Sequence, residues 1–431
     1  MWPNYLFLGF TIVVVSLFFF MKTKVALLIF LVFSISIQYL ERVHIGILSG
    51  LDLVGIVLPI LFLSSIILRQ YNLDRLDIIF LAFLILTIPA ALTNTETLSL
   101  LERFGCWAKF LNGLVVMMAI KQNVKSFEDI KKLINAILIA AIPMCLIATY
   151  QLMHLQKIHF MMSSKQNNID AFFHHRGLLA FALVTIFPLL LFRSSQSISK
   201  KKFLWYICIL LFTILLYFTY LRVAWIGLAV EVLVWNILRK NGRLLIGLAI
   251  ALILILLLTP IGNNIKGALE DIPLFFSHLR QGILTNPTYD DLFTGRWGIF
   301  MVNINAFFSQ GAVQMFIGNG IGSTIFFYSQ ATGISIGHHN NYLILLLDMG
   351  LIGFILYISM IIMLFRIGWR LVKVGESWIR IYSISYLSFL ISYILMGLGN
   401  HLFYHLTTGI WIFWILAGVT IALSTDAEIQ I

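Results

Sequence analysis

Runs of apolar residues roughly 17–25 long recur from one end of this chain to the other, each sufficient to cross the hydrocarbon core of a bilayer as a helix. Their positions predict about thirteen membrane helices. These lie near residues 5–21, 24–40, 51–68, 77–93, 99–120, 130–150, 176–192, 203–220, 222–238, 243–260, 340–365, 381–398 and 405–423. The first run has neither a basic segment ahead of it nor a small-residue cleavage site. Lys22 and Lys24 follow it, so it reads as a retained helix and not as a signal peptide.

Two polar connections are long. Residues 151–175 carry Gln151, His154, Lys157, His159, Lys165, Asn167, Asn168, Asp170, His174 and His175. Residues 261–339 form a larger insertion rich in Gly and Asn, with a short amphipathic helix predicted near 296–309. This insertion keeps Leu274, Phe275, Phe276, Trp297, Phe300, Phe307 and Phe308. That apolar content argues for a segment packed back onto the membrane face and against disorder. The expected fold is an all-α integral membrane protein with about 12–13 transmembrane helices. It comprises a helix bundle over 1–260, one large extracytoplasmic loop over 261–339, and carboxy-terminal transmembrane helices over 340–431.

Composition removes the soluble alternatives. Hydrophobic residues make up 60% of the chain and charged residues 11%, with a mean hydropathy of +0.97. A soluble globule holds about 45–50% apolar residues. The formal charge of +11 is not a nucleic-acid footprint, because alternate connections carry most of it. They hold Lys22/Lys24, Arg69/Arg75, Lys121/Lys125/Lys131/Lys132, Arg193/Lys200/Lys201/Lys202, Arg239/Lys240/Arg243 and Arg366/Arg370/Lys373/Arg380. The positive-inside rule then makes these connections cytoplasmic, the amino terminus external and the carboxyl terminus internal. If the first run does not span, the count falls to about twelve and both termini are internal. Cys106, Cys145 and Cys208 fall in apolar runs without metal-ligand spacing and read as small buried hydrophobes.

Against this background, the polar cluster His338-His339-Asn340-Asn341-Tyr342-Leu343 stands out at the join between the long insertion and an apolar helix. Imidazoles and carboxamides at a membrane boundary are costly unless they face water or a partner. Upstream lie Tyr220-Leu221-Arg222-Val223-Ala224-Trp225 at a hairpin tip, Gly295-Arg296-Trp297, and Gly318-Asn319-Gly320-Ile321-Gly322-Ser323. Downstream lies Asp348-Met349-Gly350-Leu351-Ile352-Gly353. This ordered series resembles the O-antigen ligase and O-antigen polymerase superfamily, polytopic glycosyltransferases with a large extracytoplasmic loop late in the chain. The family signature is an arginine at a helix start, a G-R pair in the loop, a glycine-rich turn, and H-N-x-Y-L running on to an acidic residue and G-x-x-G. The chain departs from it in three places. Asp348 stands where glutamate is usual, and Leu221 replaces a hydroxyl residue. Phe172-Phe173-His174-His175-Arg176-Gly177-Leu178-Leu179-Ala180 stands where relatives read F-x-H-P-N-x-x-A.

The resemblance implies a polyprenyl-pyrophosphate-linked glycan as donor and a glycan or lipid-glycan as acceptor, transferred at the outer face of the cell membrane during cell-envelope polysaccharide synthesis. It also implies a metal-independent site and polysaccharide export machinery as a further partner, with no cofactor and no nucleic acid. The residue chemistry is consistent with this. Cleaving a sugar–pyrophosphate bond releases a multiply charged group that fixed cations stabilise, and an arginine offers a permanently charged planar fork. Arg222 and Arg296 are the candidates. The attacking hydroxyl gains from a base, and histidine, with an ordinary pKa of about 6.5, suits that role; His339 is the candidate. Lys109, Arg176, Asn340, Asn341, Tyr342 and Asp348 are the candidate substrate-binding residues.

The plain alternatives are a snorkelling helix-end arginine for Arg222, a solvated loop charge for Arg296 and a backbone-held structural histidine for His339. On an unbroken helix over 339–353, Asp348 lies about half a turn from the face of His339, so it is expected to pair with a cation on another helix. Lys109 and Glu231 are intramembrane charges, each either functional or part of a structural ion pair between helices. Asp290-Asp291 and Glu270-Asp271 lack the D-x-D pattern of nucleotide-sugar enzymes, and no metal site is expected. A transporter or flippase of lipid-linked glycans is the competing reading. It predicts repeated halves and helices interrupted near the midplane, and the sequence displays neither. The lack of a soluble carboxy-terminal domain tilts the expectation toward polymerase over ligase.

Overall fold

A computed structural model describes residues 44–45, 48–49, 73–93, 99–153, 176–197, 199–240, 296–332, 340–399 and 408–429. The runs predicted near 5–21, 24–40, 51–68 and 243–260 lie outside the described residues, as do 154–175, 261–295 and 333–339. A short antiparallel pair, β1 (His44–Ile45) with β2 (Leu48–Ser49), precedes the helices. The helices are α1 (Arg75–Leu86), α2 (Ile88–Leu92), α3 (Leu100–Asn123), α4 (Phe127–Met153), α5 (Arg176–Gln196), α6 (Ser199–Tyr217) and α7 (Arg222–Leu238). After them come α8 (Arg296–Ser309), α9 (Ala312–Ile317), α10 (Ser323–Thr332), α11 (Asn341–Val374), α12 (Ser377–Gly399) and α13 (Thr408–Ile429).

Six described segments are long and apolar enough to cross a membrane: Arg75–Leu92, Glu102–Asn123, Phe127–Met153, Gly177–Gln196, Asn341–Val374 and Ser377–Gly399. Each falls on a run read from hydropathy. The helices α6, α7 and α13 fall on three more such runs, and α8 occupies the range predicted for the amphipathic helix of the insertion. The chain is an α-helical membrane protein.

Antiparallel packing explains why the basic connections alternate. At the end of α3, Lys121 binds Asp74 and, at 2.8 Å, Asp77, both at the start of α1. Arg193, near the end of α5, lies 5.4 Å over the Trp205 ring near the start of α6. Phe127 and Trp378, which begin α4 and α12, pack at 4.8 Å. The basic residues therefore collect at one end of the bundle, and the starts of α3, α5, α7 and α11 lie at the other. The core between them is aromatic and aliphatic, with Phe80 stacked on Trp414 at 4.7 Å and Tyr393 on Phe413 at 4.4 Å.

Two helices depart from the continuous spans expected. The run near 77–93 divides at Thr87, because Pro89 has no N–H and its ring opposes the carbonyl one turn back. At the break Leu84 O accepts instead from the Thr87 hydroxyl at 3.2 Å and from Trp107 Nε1 of α3 at 3.1 Å. The run that begins at Asn341 breaks at Gly350, with φ 67° and ψ −174°. That left-handed backbone favours glycine, so 339–353 is not one helix; the break falls beyond Asp348, and His339 lies outside the described residues.

Candidate functional site

The break at Gly350 exists to accept the glycine-rich turn. A Cβ on Gly350 would stand 2.4 Å from Gly318 N and from Phe316 O; one on Gly318 would stand 2.3 Å from Asp348 O. Gly318, Gly320 and Gly322 all have positive φ, at 87°, 101° and 93°. Breaking α11 after Met349 exposes carbonyls that need donors, and the turn supplies them. Asn319 N donates to Leu347 O at 2.9 Å and Gly320 N to Asp348 O at 3.1 Å. Asn319 Nδ2 adds a bond to Leu347 O at 3.3 Å and a second to Gln310 Oε1. Ile321 N extends the clasp to α2, donating to Ala90 O at 2.9 Å.

Asp348 reciprocates. Its carboxylate accepts from Gly322 N at 3.0 Å, Ser323 Oγ at 2.6 Å and Thr324 N at 3.4 Å, and it is fully buried. It caps the N-terminus of α10 from another helix, where a negative charge also suits the helix dipole. These three donors all come from the glycine-rich turn and the start of α10. The Gly322 and Thr324 amides, donors of the kind that bind phosphate at a helix N-terminus, are thus engaged by the protein's own carboxylate.

The adjoining candidates also have structural duties. Asn340 is the N-cap of α11, its Oδ1 accepting from Tyr342 N at 2.9 Å and Leu343 N at 3.2 Å. Asn341 is buried against Gly397 of α12. Tyr342, half-buried, donates its hydroxyl to Ile394 O of α12 at 2.7 Å.

Arg222 opens α7 just after Tyr220, which has φ 53°, and its side chain is exposed. Trp225 donates to Leu216 O at 3.0 Å and stacks on Tyr217 at 5.5 Å. The C-terminal end of α12 joins the two halves of the site, since Gly399 abuts Val223 while Gly397 abuts Asn341 and Tyr342. The structure therefore brings Arg222, Asn340, Asn341, Tyr342 and Asp348 to one end of the bundle.

Arg296 and Arg176 begin α8 and α5, and Lys109 lies within α3, but their side chains lie outside the described residues. His338 and His339 lie wholly outside them, directly before the cap residue Asn340. By its packing, α8 belongs to this end, lying on α10 and α11, whereas α3 lies on α1, α2 and α13.

Two buried polar residues at this end were not among the candidates. Arg103, 5% exposed, donates to Thr93 O at 2.5 Å, and Asn303 on α8 is fully buried. Arg103 had a signal, being a charge within the first turns of an apolar run; Asn303 looked like the polar face of an amphipathic helix. Among the described residues no group of three or more His, Cys, Asp or Glu could hold a metal ion. The chain matches no protein-family model and no curated protein.

Proposed function

We propose that this chain is a membrane glycosyltransferase that polymerises or ligates polyprenyl-pyrophosphate-linked oligosaccharides at the extracytoplasmic face, with polymerisation favoured. The observation that supports it best is convergence. The start of α7 with Arg222, the glycine-rich turn and the Asn340–Gly350 segment lie far apart in the chain, and they meet at the bundle end opposite the basic residues. The positive-inside rule makes that end external. In this reading His339 takes the proton of the acceptor hydroxyl. Arg222 and Arg296 hold the pyrophosphate as it leaves, and displacement inverts the anomeric centre. Asp348 and Asn340 hold the backbone on which these groups are mounted.

The interruption of α11 also favours a second reading, transport of lipid-linked glycans, because transporters place broken helices at the membrane midplane. Its depth weighs against that reading. At about 1.5 Å per residue, Gly350 lies roughly 24 Å from Arg366 and 35 Å from Lys373 at the basic end. Across a core about 30 Å thick, that is near the opposite boundary. The two readings separate in proteoliposomes supplied with a labelled polyprenyl-pyrophosphate oligosaccharide. A ladder of lengthened glycans from donor alone identifies a polymerase, and a product formed only with a distinct acceptor identifies a ligase. Translocation of intact donor without glycosidic product overturns the proposal.

A further inference from the structure

Most hydroxyls buried in this bundle find an acceptor on their own helix: Thr185 on Phe181 O, Ser385 on Ile381 O, Ser388 on Ile384 O and Thr420 on Leu416 O. The seam between α7 and α12 departs from that pattern. Glu231 is fully buried, and neither of its carboxyl oxygens has a hydrogen-bond partner among the described residues. Ser392 Oγ is buried and equally unpartnered among them. The register of the two antiparallel helices sets these groups at one level. Val223 abuts Gly399, Gly227 abuts Met396 and Ser392, and Trp235 packs with Ile384 and Leu387. Glu231 is one turn beyond Gly227 on the same face of α7, and Ser388 is one turn before Ser392 on α12, so the carboxyl falls between the two serines. A Cβ on Gly227 would stand 2.9 Å from Ser392 Oγ, so the glycine is what lets the helices close here.

We propose that Glu231, set at the level of Ser388 and Ser392, is a proton-binding site within the bundle, held as the neutral acid at neutral pH. An ionised carboxylate in this position has nothing to offset its desolvation. The elements packed on α7 are α12, α5 and α6. Their titratable groups are Arg380, Tyr382, Tyr386 and Tyr393 on α12, Arg176 and Arg193 on α5, and Lys200, Lys201, Lys202, Tyr206, Cys208 and Tyr217 on α6. Among the described residues none of these groups hydrogen-bonds Glu231. On its own helix, Arg222 and Arg239 are about 12–14 Å away along the axis. A proton fits better than a metal cation because α7 and α12 are unbroken helices whose carbonyls are engaged. The seam then offers two carboxyl oxygens and two hydroxyls, where a hard cation takes about six oxygens. The site is independent of the glycosyltransferase reading.

The test is carbodiimide modification of the full-length protein in lipid, mapped by peptide mass spectrometry. An apolar carbodiimide should label Glu231 at neutral pH at least tenfold faster than a water-soluble one. The label should slow as pH rises, be indifferent to sodium and vanish in Glu231→Gln. Suppression by sodium would overturn the proposal in favour of a metal cation, and equal labelling by both reagents would overturn the burial on which it rests. Where no label forms, infrared spectra decide: a protonated-carboxyl band that Glu231→Gln removes sustains the site, and its absence overturns it. Glu231→Gln, isosteric with the neutral acid, should fold and melt like the wild type. A variant that melts far below the wild type would overturn the neutral-acid assignment.

Discussion

Replacing Asp348 tests whether its carboxylate holds the glycine-rich turn against α11. Two of its bonds are short enough to count fully, from Gly322 N at 3.0 Å and Ser323 Oγ at 2.6 Å; the third, from Thr324 N at 3.4 Å, is weak. Hydrogen bonds to a charged group contribute about 1.5–3 kcal/mol each, and a donor left buried and unpaired adds its own penalty. Asp348→Ala should therefore cost about 4 kcal/mol. Asp348→Asn keeps the shape and one acceptor but turns an amide donor toward other donors, and should cost about 2 kcal/mol. At the lower end of the usual scaling for large domains, roughly 2 °C per kcal/mol, Asp348→Ala should melt about 8 °C below the wild type. The free, buried Cys145 provides the readout, through a thiol-reactive dye that fluoresces when unfolding exposes it. Ser323→Ala should be non-additive with Asp348→Ala, because the two share one bond. If Asp348→Ala melts within about 2 °C of the wild type, the capping role is wrong.

Gly350→Ala places a Cβ 2.4 Å from two backbone atoms in a left-handed conformation, and Gly318→Ala meets Asp348 O at 2.3 Å; both should lower the melting temperature and the protein's resistance to protease over 311–332, measured on purified protein. His339→Ala should abolish glycan transfer while insertion and melting stay at wild-type values; normal product from it would remove the base assignment. Arg222→Lys and Arg296→Lys keep the charge but lose the fork, so each should lower transfer at least tenfold in a donor-turnover assay, and full activity in both would remove bidentate pyrophosphate binding. At the basic end, burial works to raise the Asp74 carboxyl, but the hydrogen bond and charge of Lys121, together with hydrogen bonds from Asp77, outweigh it and hold Asp74 below its ordinary value. Its contribution is therefore complete above the ordinary carboxylate pKa of about 3.9 and is lost as pH falls through the lower folded value. Acid melting curves should show Lys121→Gln losing stability at a higher pH than the wild type.

Much of the architecture could be read directly from hydropathy, because a bilayer imposes one length on every span. The runs that became α3, α4, α5 and α12 needed nothing more, and the basic connections foretold which helix ends would share a side. The amphipathic helix over 296–309 was also legible, its apolar residues recurring at helical spacing within a polar insertion. Gly350 was not. A glycine inside an apolar run leaves the periodicity intact, and only its contact with Gly318, far away in the chain, dictates a positive φ. The duty of Asp348 was hidden for the same reason, since its donors lie in a turn brought to it by the fold. Asn340 could have been read as an N-cap from its place before an apolar helix; its position in a polar motif drew attention to substrate instead. Glu231 was visible as an intramembrane charge, whereas the serines opposite it follow from the helix register.

The central claim is that the polar end of this bundle transfers glycans from a lipid pyrophosphate. Its most direct test is to incubate wild-type protein and His339→Ala, both in proteoliposomes, with labelled donor and measure glycosidic product. The account predicts lengthened or transferred glycan from the wild type and none from His339→Ala, with both proteins equally inserted. No product from the wild type across matched donors and acceptors, or equal product from both, would contradict it.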